Sequence, residues 1–247
     1  MPNAFIRKLN LFASLSGPDT KLVERICSKP LSIKARQDLI REGEAPDVVH
    51  LILDGFACRY KVLLTALARS WPTCCPGDMA DWHVFILREM DHSIAALSPC
   101  KVVEIPRAAV LEITENYPAI THALWWITLV DEAVLREWIV SVSRRSAAEA
   151  VAHLFCELLA RLEAVGLRVE NGFEFPVSQS DLADTVGLSA VHANRVIQEL
   201  RARKLIVLNT HGLQILDIEG LKKLAGFRPN YLHLSVKEGP ERKFEQC

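Results

Sequence analysis

The sequence of 247 residues lacks the motifs of enzymes and of membrane proteins. It contains no glycine-rich phosphate loop, no H-E-x-x-H and no G-x-S-x-G, so no catalytic constellation supports an enzyme. No run approaches the roughly 20 apolar residues that span a membrane. The first residues also lack an apolar segment followed by a small-residue cleavage site. We therefore expect a non-enzymatic, cytoplasmic protein with no membrane partner.

Cysteine is present but forms no framework. The seven cysteines are scattered, without a C-x-x-C pair, and their odd number argues against a complete set of disulfides. In a cytoplasmic chain such residues are typically buried free thiols. The sequence offers no metal-ligand motif, and we assign no metal site.

A strong charge of either sign is also missing. The chain has 29 basic and 30 acidic residues, for a net charge of −1. This balance excludes a general polyanion binder, so any nucleic-acid contact must be a local basic patch. With 50% hydrophobic residues the chain can bury a sizeable core, and its length indicates two domains.

The most informative stretch is residues 176–206, which predicts two short helices joined by a tight turn. Ser178 and Ser189 are suitable N-caps, and Gly187 lies where the first helix must end. In the second helix the predicted inward positions are Val191, Val196, Ile197 and Leu200. The predicted outward positions are His192, Asn194, Arg195, Gln198 and Arg201. This is the pattern of a helix-turn-helix whose second helix enters the major groove of DNA.

An ordinary helical hairpin is the alternative, and three features favour DNA. Residues 190–204 contain four basic residues and one acidic residue, a local charge of +3. Asn194 and Arg195 can form paired hydrogen bonds with adenine and guanine edges. Apolar alternation at 205–208 and 213–216, about a turn-prone segment at 209–212, predicts a small β-hairpin or wing.

The preceding segments predict a helical start, a region of short strands and a further helical region. Residues 3–29 have helical periodicity with a break at Gly17. From Leu31 to about Arg107 short strands are expected, including 33–40, 48–53, 56–62, 93–97 and 101–105. Asp54-Gly55 is a hairpin signal. Strands at this spacing indicate a small barrel or sandwich.

A long helical run follows from Ala119 to Arg145, and Ser146 opens a capping box for another helix. The run carries an apolar stripe that is either core-facing or a two-chain seam, and its length favours a homodimer seam. The stripe comprises Ile120, Leu124, Ile127, Val130, Val134, Trp138 and Val142. The expected division is a sensor domain at 1–117, a dimerisation helix at 118–145, a winged helix-turn-helix domain at 146–226 and a loosely ordered tail at 227–247.

Taken together, residues 10–225 resemble the Crp/Fnr family of bacterial transcription regulators. The resemblance is most specific at 40–44 with 53–55, at Pro76-Gly77-Asp78, and at 178–205. It implies an α+β protein with an N-terminal β-barrel or jelly-roll sensor of the cyclic-nucleotide-binding type, a long dimerisation helix and a C-terminal winged helix-turn-helix. It also implies double-stranded DNA with two-fold related half-sites as a partner, together with RNA polymerase.

The resemblance extends only partly to the recognition helix. The family often presents Arg-Glu-x-x-x-Arg, and here only Arg195 matches, since the first two positions are Ala190 and Val191. We predict base reading by His192, Asn194 and Arg195, with a solvated His192 as the alternative. The predicted phosphate-positioning residues are Ser178, Gln179, Ser189 and Arg201.

The sensor departs further from the family. Its cyclic-nucleotide binders carry a Gly-Glu pair and an Arg-Ser pair, where this chain has Gly77-Asp78 through Asp81 and His92-Ser93. An acidic residue near the place of a needed cation argues against cyclic AMP, because histidine does not replace a guanidinium fork. The effector candidates are Asp78, Asp81, His92 and Ser93.

The residues of this chain also bear on two other cofactors that members of the family bind. The N-terminal cysteine cluster of iron–sulfur members is missing. Cys74, Cys75 and Pro2 could imitate the ligands of haem-binding members. The alternative function is accordingly a haem or small-molecule sensor whose helical end binds a protein partner. The cofactor stays unassigned.

The segment Leu64–Cys75 does not resemble the strand–turn–strand expected there. With free codon choice, moving the frame back by one base from Leu63 allows the same nucleotides to encode PDGSRQIMAYLL, a family-like hairpin that leads into Pro76. We hypothesise a pair of compensating frameshifts, and resequencing of the gene tests it.

Overall fold

The computed structural model describes residues 3–63, 66–209 and 212–234, with the backbone alone at residues 63, 66–73 and 85. Its sequence of helices, strands and helices agrees with the expected α+β class. No helix within these ranges is both long and apolar enough to cross a bilayer.

The N-terminal half contains two helices, eight strands and a further helix. The helices are α1 (Ala4–Phe12), α2 (Gly17–Ile26) and α3 (Arg107–Asn116). The strands are β1 (Leu31–Ile33), β2 (Asp38–Ile40), β3 (Val48–Asp54), β4 (Ala57–Leu63), β5 (Ala66–Cys74), β6 (Met79–Ala80), β7 (Ser93–Ala96) and β8 (Cys100–Pro106). The single strand expected at 33–40 is therefore two strands, separated by a turn.

These strands form two antiparallel four-stranded sheets instead of a closed barrel. Their orders are β1-β8-β3-β6 and β2-β7-β4-β5. Asp54-Gly55 is consequently not a hairpin turn, because β3 and β4 lie in different sheets. Gly55 has a φ of +82°, and a Cβ there would lie 2.3 Å from the Pro99 carbonyl oxygen. Glycine is required at this crossing for both reasons.

The questioned segment forms a strand in the structure. β5 pairs antiparallel with β4, from Leu63 opposite Ala66 to Ala57 opposite Cys74. Leu64 and Thr65 lie outside the described residues. The frameshift hypothesis concerns the gene and stays a prediction.

The long helix α4 (Pro118–Arg144) has two apolar faces. Six of the seven residues of the predicted stripe are buried within the chain, whereas Val142 is exposed. A second set of apolar side chains, between 45% and 71% exposed, lies on the outer face. That set is Trp125, Leu129, Leu135, Ile139 and Val142. The predicted stripe thus faces this chain's own core, and the outer face is a different one.

The C-terminal half packs helices on a small sheet. Its elements are α5 (Ala147–Ala164), β9 (Gly172–Phe173), α6 (Gln179–Thr185), α7 (Ala190–Ala202), β10 (Ile206–Leu208), β11 (Leu213–Ile215) and α8 (Ile218–Ala225). The capping box of Ser146 and Glu149 is present at the start of α5. β10 and β11 form the expected wing, whose Thr210 and His211 lie outside the described residues.

The chain after α8 still belongs to the core. A short 3-10 helix spans Pro229–Leu232, Leu232 is fully buried, and the Tyr231 hydroxyl donates to Glu157 Oε2 at 2.7 Å. Ordered packing therefore continues past Phe227, where the loosely ordered tail was expected to begin. Residues 235–247 of that tail lie outside the described residues.

Candidate nucleic-acid interface and ligand cavity

The two helices α6 and α7 are held by the caps that the sequence predicts. Ser178 Oγ accepts from the Asp181 amide at 3.1 Å, and Ser189 Oγ accepts from the His192 amide at 3.3 Å. Gly187 takes a φ of +68°, in the left-handed region that glycine favours. These contacts are local in sequence, so this part of the site could be predicted from residue types and spacing.

The inner face of α7 differs from the prediction at one position. The buried residues are Ala193, Val196, Ile197 and Leu200, whereas Val191 is 73% exposed. Val191 lies five residues before Val196, about 140° around a helix of 3.6 residues per turn, so both cannot face one core. Ala193 takes the inward place, and Val191 joins the outer face.

The outer face of α7 presents the polar side chains that could read bases. His192, Asn194, Arg195 and Gln198 are exposed on it. Ser178, Gln179 and Ser189 are exposed at the first turns of α6 and α7, where phosphates are expected. Arg201 is half-buried, and its guanidinium donates to the Leu208 carbonyl. Arg201 thus ties α7 to the wing in this structure.

A cavity of about 880 Å³ lies between β4, the 3-10 helix Trp82–Ile86 and α4. Trp82 and Trp125 meet edge to face in its wall, with ring centroids 5.8 Å apart. The indole N–H of Trp82 donates to the Thr128 hydroxyl at 2.6 Å. The cavity therefore combines aromatic walls with hydroxyl groups, a lining typical of small-molecule sites.

An ion network occupies one side of this cavity. Arg59 Nε lies 2.9 Å from both carboxylate oxygens of Asp81, and Nε2 of His92 lies 2.8 Å from Asp81 Oδ2. Arg59 also approaches Asp131 of α4 at 3.9 Å. Burial opposes ionisation of Asp81, but Arg59 and His92 together hold its pKa well below the usual range. Hydrogen bonds from the His92 ring to Asp81 and Asp91 raise the pKa of His92.

The predicted effector residues do not all meet in this cavity. Asp81 and His92 line it, but Asp78 points away and pairs with Lys8 of α1 and Arg161 of α5. Ser93 is buried, and its hydroxyl accepts from the Glu42 amide at 2.9 Å. Asp78 and Asp81 face different partners because the short strand β6 lies between them.

Sequence reasoning missed Arg59, which supplies the guanidinium considered absent. It lies on β4, and its partner Asp81 is 22 residues away, so no local spacing marks it. The pair is largely buried, with side chains 11% and 12% exposed. An anionic ligand at Arg59 must therefore compete with Asp81, a buried and well-aligned partner.

The cysteines considered for haem are buried thiols. Burial raises the pKa of Cys74 to about 12 and also raises the pKa of Cys75, whose thiol donates to Asp78 at 3.2 Å. Such thiols are poor ligands because the thiolate is the binding form. Pro2 lies outside the described residues. Across the described ranges, no group of three histidine, cysteine or acidic side chains is placed to hold a metal ion.

Comparisons with known proteins bear on both halves. A family model described as the Crp-like helix-turn-helix domain matches residues 149–224. The transcriptional activatory protein AadR of Rhodopseudomonas palustris is 27% identical over 226 residues, 89% of this chain and 90% of that protein. The transcriptional activator protein FnrL of Cereibacter sphaeroides is 24% identical, over 72% of each chain. The solved structure of FixK2 from Bradyrhizobium japonicum has a TM-score of 0.70 at 19% identity, covering 79% of this chain and 96% of that one.

A two-sheet domain of the cyclic-nucleotide-binding type, followed by a long helix and a winged helix-turn-helix, defines a class of DNA-binding transcription regulators. The match to the Crp-like helix-turn-helix model and the alignments with AadR and FnrL indicate which transcription regulators this chain resembles. Residues 149–224 form a Crp-like helix-turn-helix domain, and most of the chain is similar to transcription regulators of the Crp/Fnr type.

Proposed function

We propose that this chain is a dimeric, sequence-specific DNA-binding regulator whose activity is set by a signal at its N-terminal domain. The observation that carries the proposal is the outer face of α7, where Asn194 and Arg195 are exposed on a helix fixed by its cap and buried side. Arg195 can bind guanine and Asn194 can bind adenine, each with two hydrogen bonds. His192 is the third base-reading candidate.

The positioning contacts come from the helix ends and their neighbours. Ser178, Gln179 and Ser189 are exposed at the starts of α6 and α7, and we assign them to phosphate contacts. Arg201 supports the wing through Leu208 and adds positive charge near the duplex.

The dimer would form through the outer face of α4. Trp125, Leu129, Leu135, Ile139 and Val142 expose apolar surface along one helix, and a second copy would bury it. Two parallel copies of α4 would place two recognition helices on half-sites about one DNA turn apart. We propose RNA polymerase as a further partner of this regulator when it is bound at a promoter. Because we assign α4 as the dimerisation helix, we place the domain boundaries at 117/118 and 145/146.

The signal would act at the cavity beside α4. Asp81 and His92 line it with Arg59, and the cavity shares Trp125 and Leu135 with the proposed dimer face. A ligand there would favour one arrangement of the two α4 helices and thereby shift the population of DNA-binding states. The commitment of Arg59 to Asp81 argues against cyclic AMP as that ligand.

Selection of genomic fragments by the purified protein tests this function. The experiment is run at moderate salt, with and without cell extract, because specific and non-specific binding separate as salt rises. Enrichment of a two-fold symmetric motif is the expected result, and dependence on extract would indicate a diffusible effector. Enrichment of no motif under either condition would contradict the proposal.

A further inference from the structure

A contact between the two halves of the chain lies at the DNA-facing end of α6. Arg36, in the turn between β1 and β2, reaches Asp181 Oδ2 at 3.0 Å and Ser178 Oγ at 3.5 Å. The Asp181 side chain is 2% exposed, whereas that of Arg36 is 56% exposed. A sensor-domain arginine therefore contacts the first turn of α6 beside Ser178, which is itself exposed.

The backbone of Arg36 is held firmly enough to make this contact specific. Arg36 has a φ of +66°, a conformation that non-glycine residues seldom adopt. Its amide donates to the Ala96 carbonyl at 2.7 Å, which fixes the turn to β7. Helix α6 also lies against β5, so Arg36 acts beside a wider contact between the halves.

The Ser178 hydroxyl proton, which a phosphate would accept, is committed to Asp181 beside Arg36. The Ser178 hydroxyl donates to Asp181 Oδ2 at 2.6 Å, while its oxygen accepts from the Asp181 amide and Arg36. A DNA phosphate at Ser178 must therefore compete with Asp181 for the hydroxyl proton, next to the sensor-domain turn that carries Arg36. The recognition face of α7 is exposed, and so are Ser178 and Gln179, but the Arg36–Asp181 pair holds the first turn of α6 against the sensor domain.

We propose that Arg36 is a positioning residue that clasps the helix-turn-helix against the sensor domain and restrains operator binding until the clasp opens. The proposal rests on the DNA-binding function proposed above. An exposed arginine paired with a buried carboxylate suits this role. The pair is strong enough to bias an orientation, yet solvent competes with it, so it can open without unfolding either half.

The experiment compares the full-length wild type with Arg36→Ala, Arg36→Lys and the control Arg41→Ala. Arg41 lies nearby on the same surface and pairs with Asp38 at 2.8 Å, within the sensor domain. Besides thermal unfolding, DNA affinity and hydrogen exchange are measured for each protein. The first is affinity for the genomic fragment that the wild type enriches and for a random-sequence duplex. The second is hydrogen exchange of the amides at 178–186.

We expect Arg36→Ala to raise affinity for the enriched fragment about two- to fivefold, the range of a solvent-accessible ion pair. Hydrogen exchange at 178–186 should become faster in Arg36→Ala. Arg36→Lys should lie between Arg36→Ala and the wild type in both measurements, and Arg41→Ala should match the wild type. Thermal unfolding separates the clasp from a merely structural role, because a structural loss would lower stability without raising affinity.

The opposite results are equally specific. Unchanged or weaker DNA binding by Arg36→Ala overturns the restraint, since Arg36 would then be neutral or itself a DNA contact. If neither the wild type nor Arg36→Ala binds any duplex, the proposed function is contradicted. Hydrogen exchange alone then decides whether the clasp exists. Unchanged exchange in that case overturns the clasp as well.

Discussion

Arg59 and Asp81 form a two-point ion pair between neighbouring walls of the cavity beside α4, with Nε of Arg59 2.9 Å from each carboxylate oxygen of Asp81. Both side chains are almost withdrawn from solvent. A buried carboxylate without its cation is costly in free energy. The pair therefore stabilises the N-terminal domain mainly because loss of Arg59 would leave the buried Asp81 without its guanidinium partner.

Arg59→Gln should lower the free energy of unfolding by about 3 kcal/mol, near the lower end for a broken buried pair, since His92 still contacts Asp81. Urea unfolding at pH 7 measures this change. The control is Arg41→Gln, whose exposed pair with Asp38 should leave the midpoint unchanged. Equal effects of the two variants would contradict the role of the buried pair.

Ile139→Glu should convert the proposed dimer to a monomer. Ile139 is 64% exposed on the outer face of α4, and a glutamate there would bring two like charges into an apolar interface. Sedimentation equilibrium gives the mass directly. Val62→Glu, at a valine of β4 that is 65% exposed, serves as the matched control and should leave the mass unchanged. A dimer that persists in Ile139→Glu places the interface elsewhere.

Arg195→Ala should abolish preference for the selected operator while leaving weak binding to random DNA. A bidentate contact with guanine supplies about 1–3 kcal/mol of discrimination, or roughly 5- to 150-fold. Fluorescence anisotropy with both duplexes measures the ratio. The control Arg203→Ala loses the same charge from an arginine that pairs with Glu199 at 2.6 Å. Equal loss on both duplexes in Arg195→Ala would argue against base reading.

His153 should make the protein less stable in mild acid. It is 1% exposed, neither ring nitrogen has a hydrogen-bond partner among the described residues, and Tyr231 stacks on it at 6.0 Å. Burial lowers its pKa to about 4, with nearby Arg145 acting in the same direction and Glu137 opposing them. The unfolded chain therefore binds more protons between pH 6.5 and 4, and stability falls as pH falls through that window.

His153→Phe keeps an aromatic ring and removes the titration. The slope of unfolding free energy against pH should decrease by up to about 1.4 kcal/mol per pH unit. His50 changes the stability with pH in the same direction, because burial lowers its pKa to about 4. Part of the slope should therefore remain in His153→Phe. His92 has the opposite sign: its raised pKa gives stability that is full below the unfolded pKa and lost as pH rises through the folded one. An unchanged slope in His153→Phe would exclude His153 as the source.

The sequence predicted the features that depend on near neighbours. The caps at Ser146, Ser178 and Ser189 and the turn at Gly187 involve groups within a few residues, so residue type and spacing suffice. The helix-turn-helix and its wing followed from these caps and from apolar periodicity. The exposure of His192, Asn194 and Arg195 also agrees with the pattern, although their contacts with DNA stay predictions.

Features that depend on distant partners could not be predicted in this way. Arg59 meets Asp81 only after two sheets have formed, and Asp78 finds Arg161 only when α5 packs against the sensor. Helix α4 is apolar on two faces, so periodicity alone could not say which face belongs to the chain's own core. The Asp54-Gly55 turn has hairpin residues, yet the chain uses it to change sheets.

The joint between α4 and α5 consists of Arg145 and Ser146 alone. Two residues can span at most about 7 Å, which leaves no slack to absorb a rotation of the long helix. Helix α5 has 18 residues, or about 27 Å at 1.5 Å per residue, so tilting it by about 10° would displace its far end by about 5 Å. Hydrogen bonds to base edges tolerate only a few tenths of an ångström. Under the proposed function, the short joint would convert a small angular change at the cavity into the difference between aligned and misaligned reading of the operator.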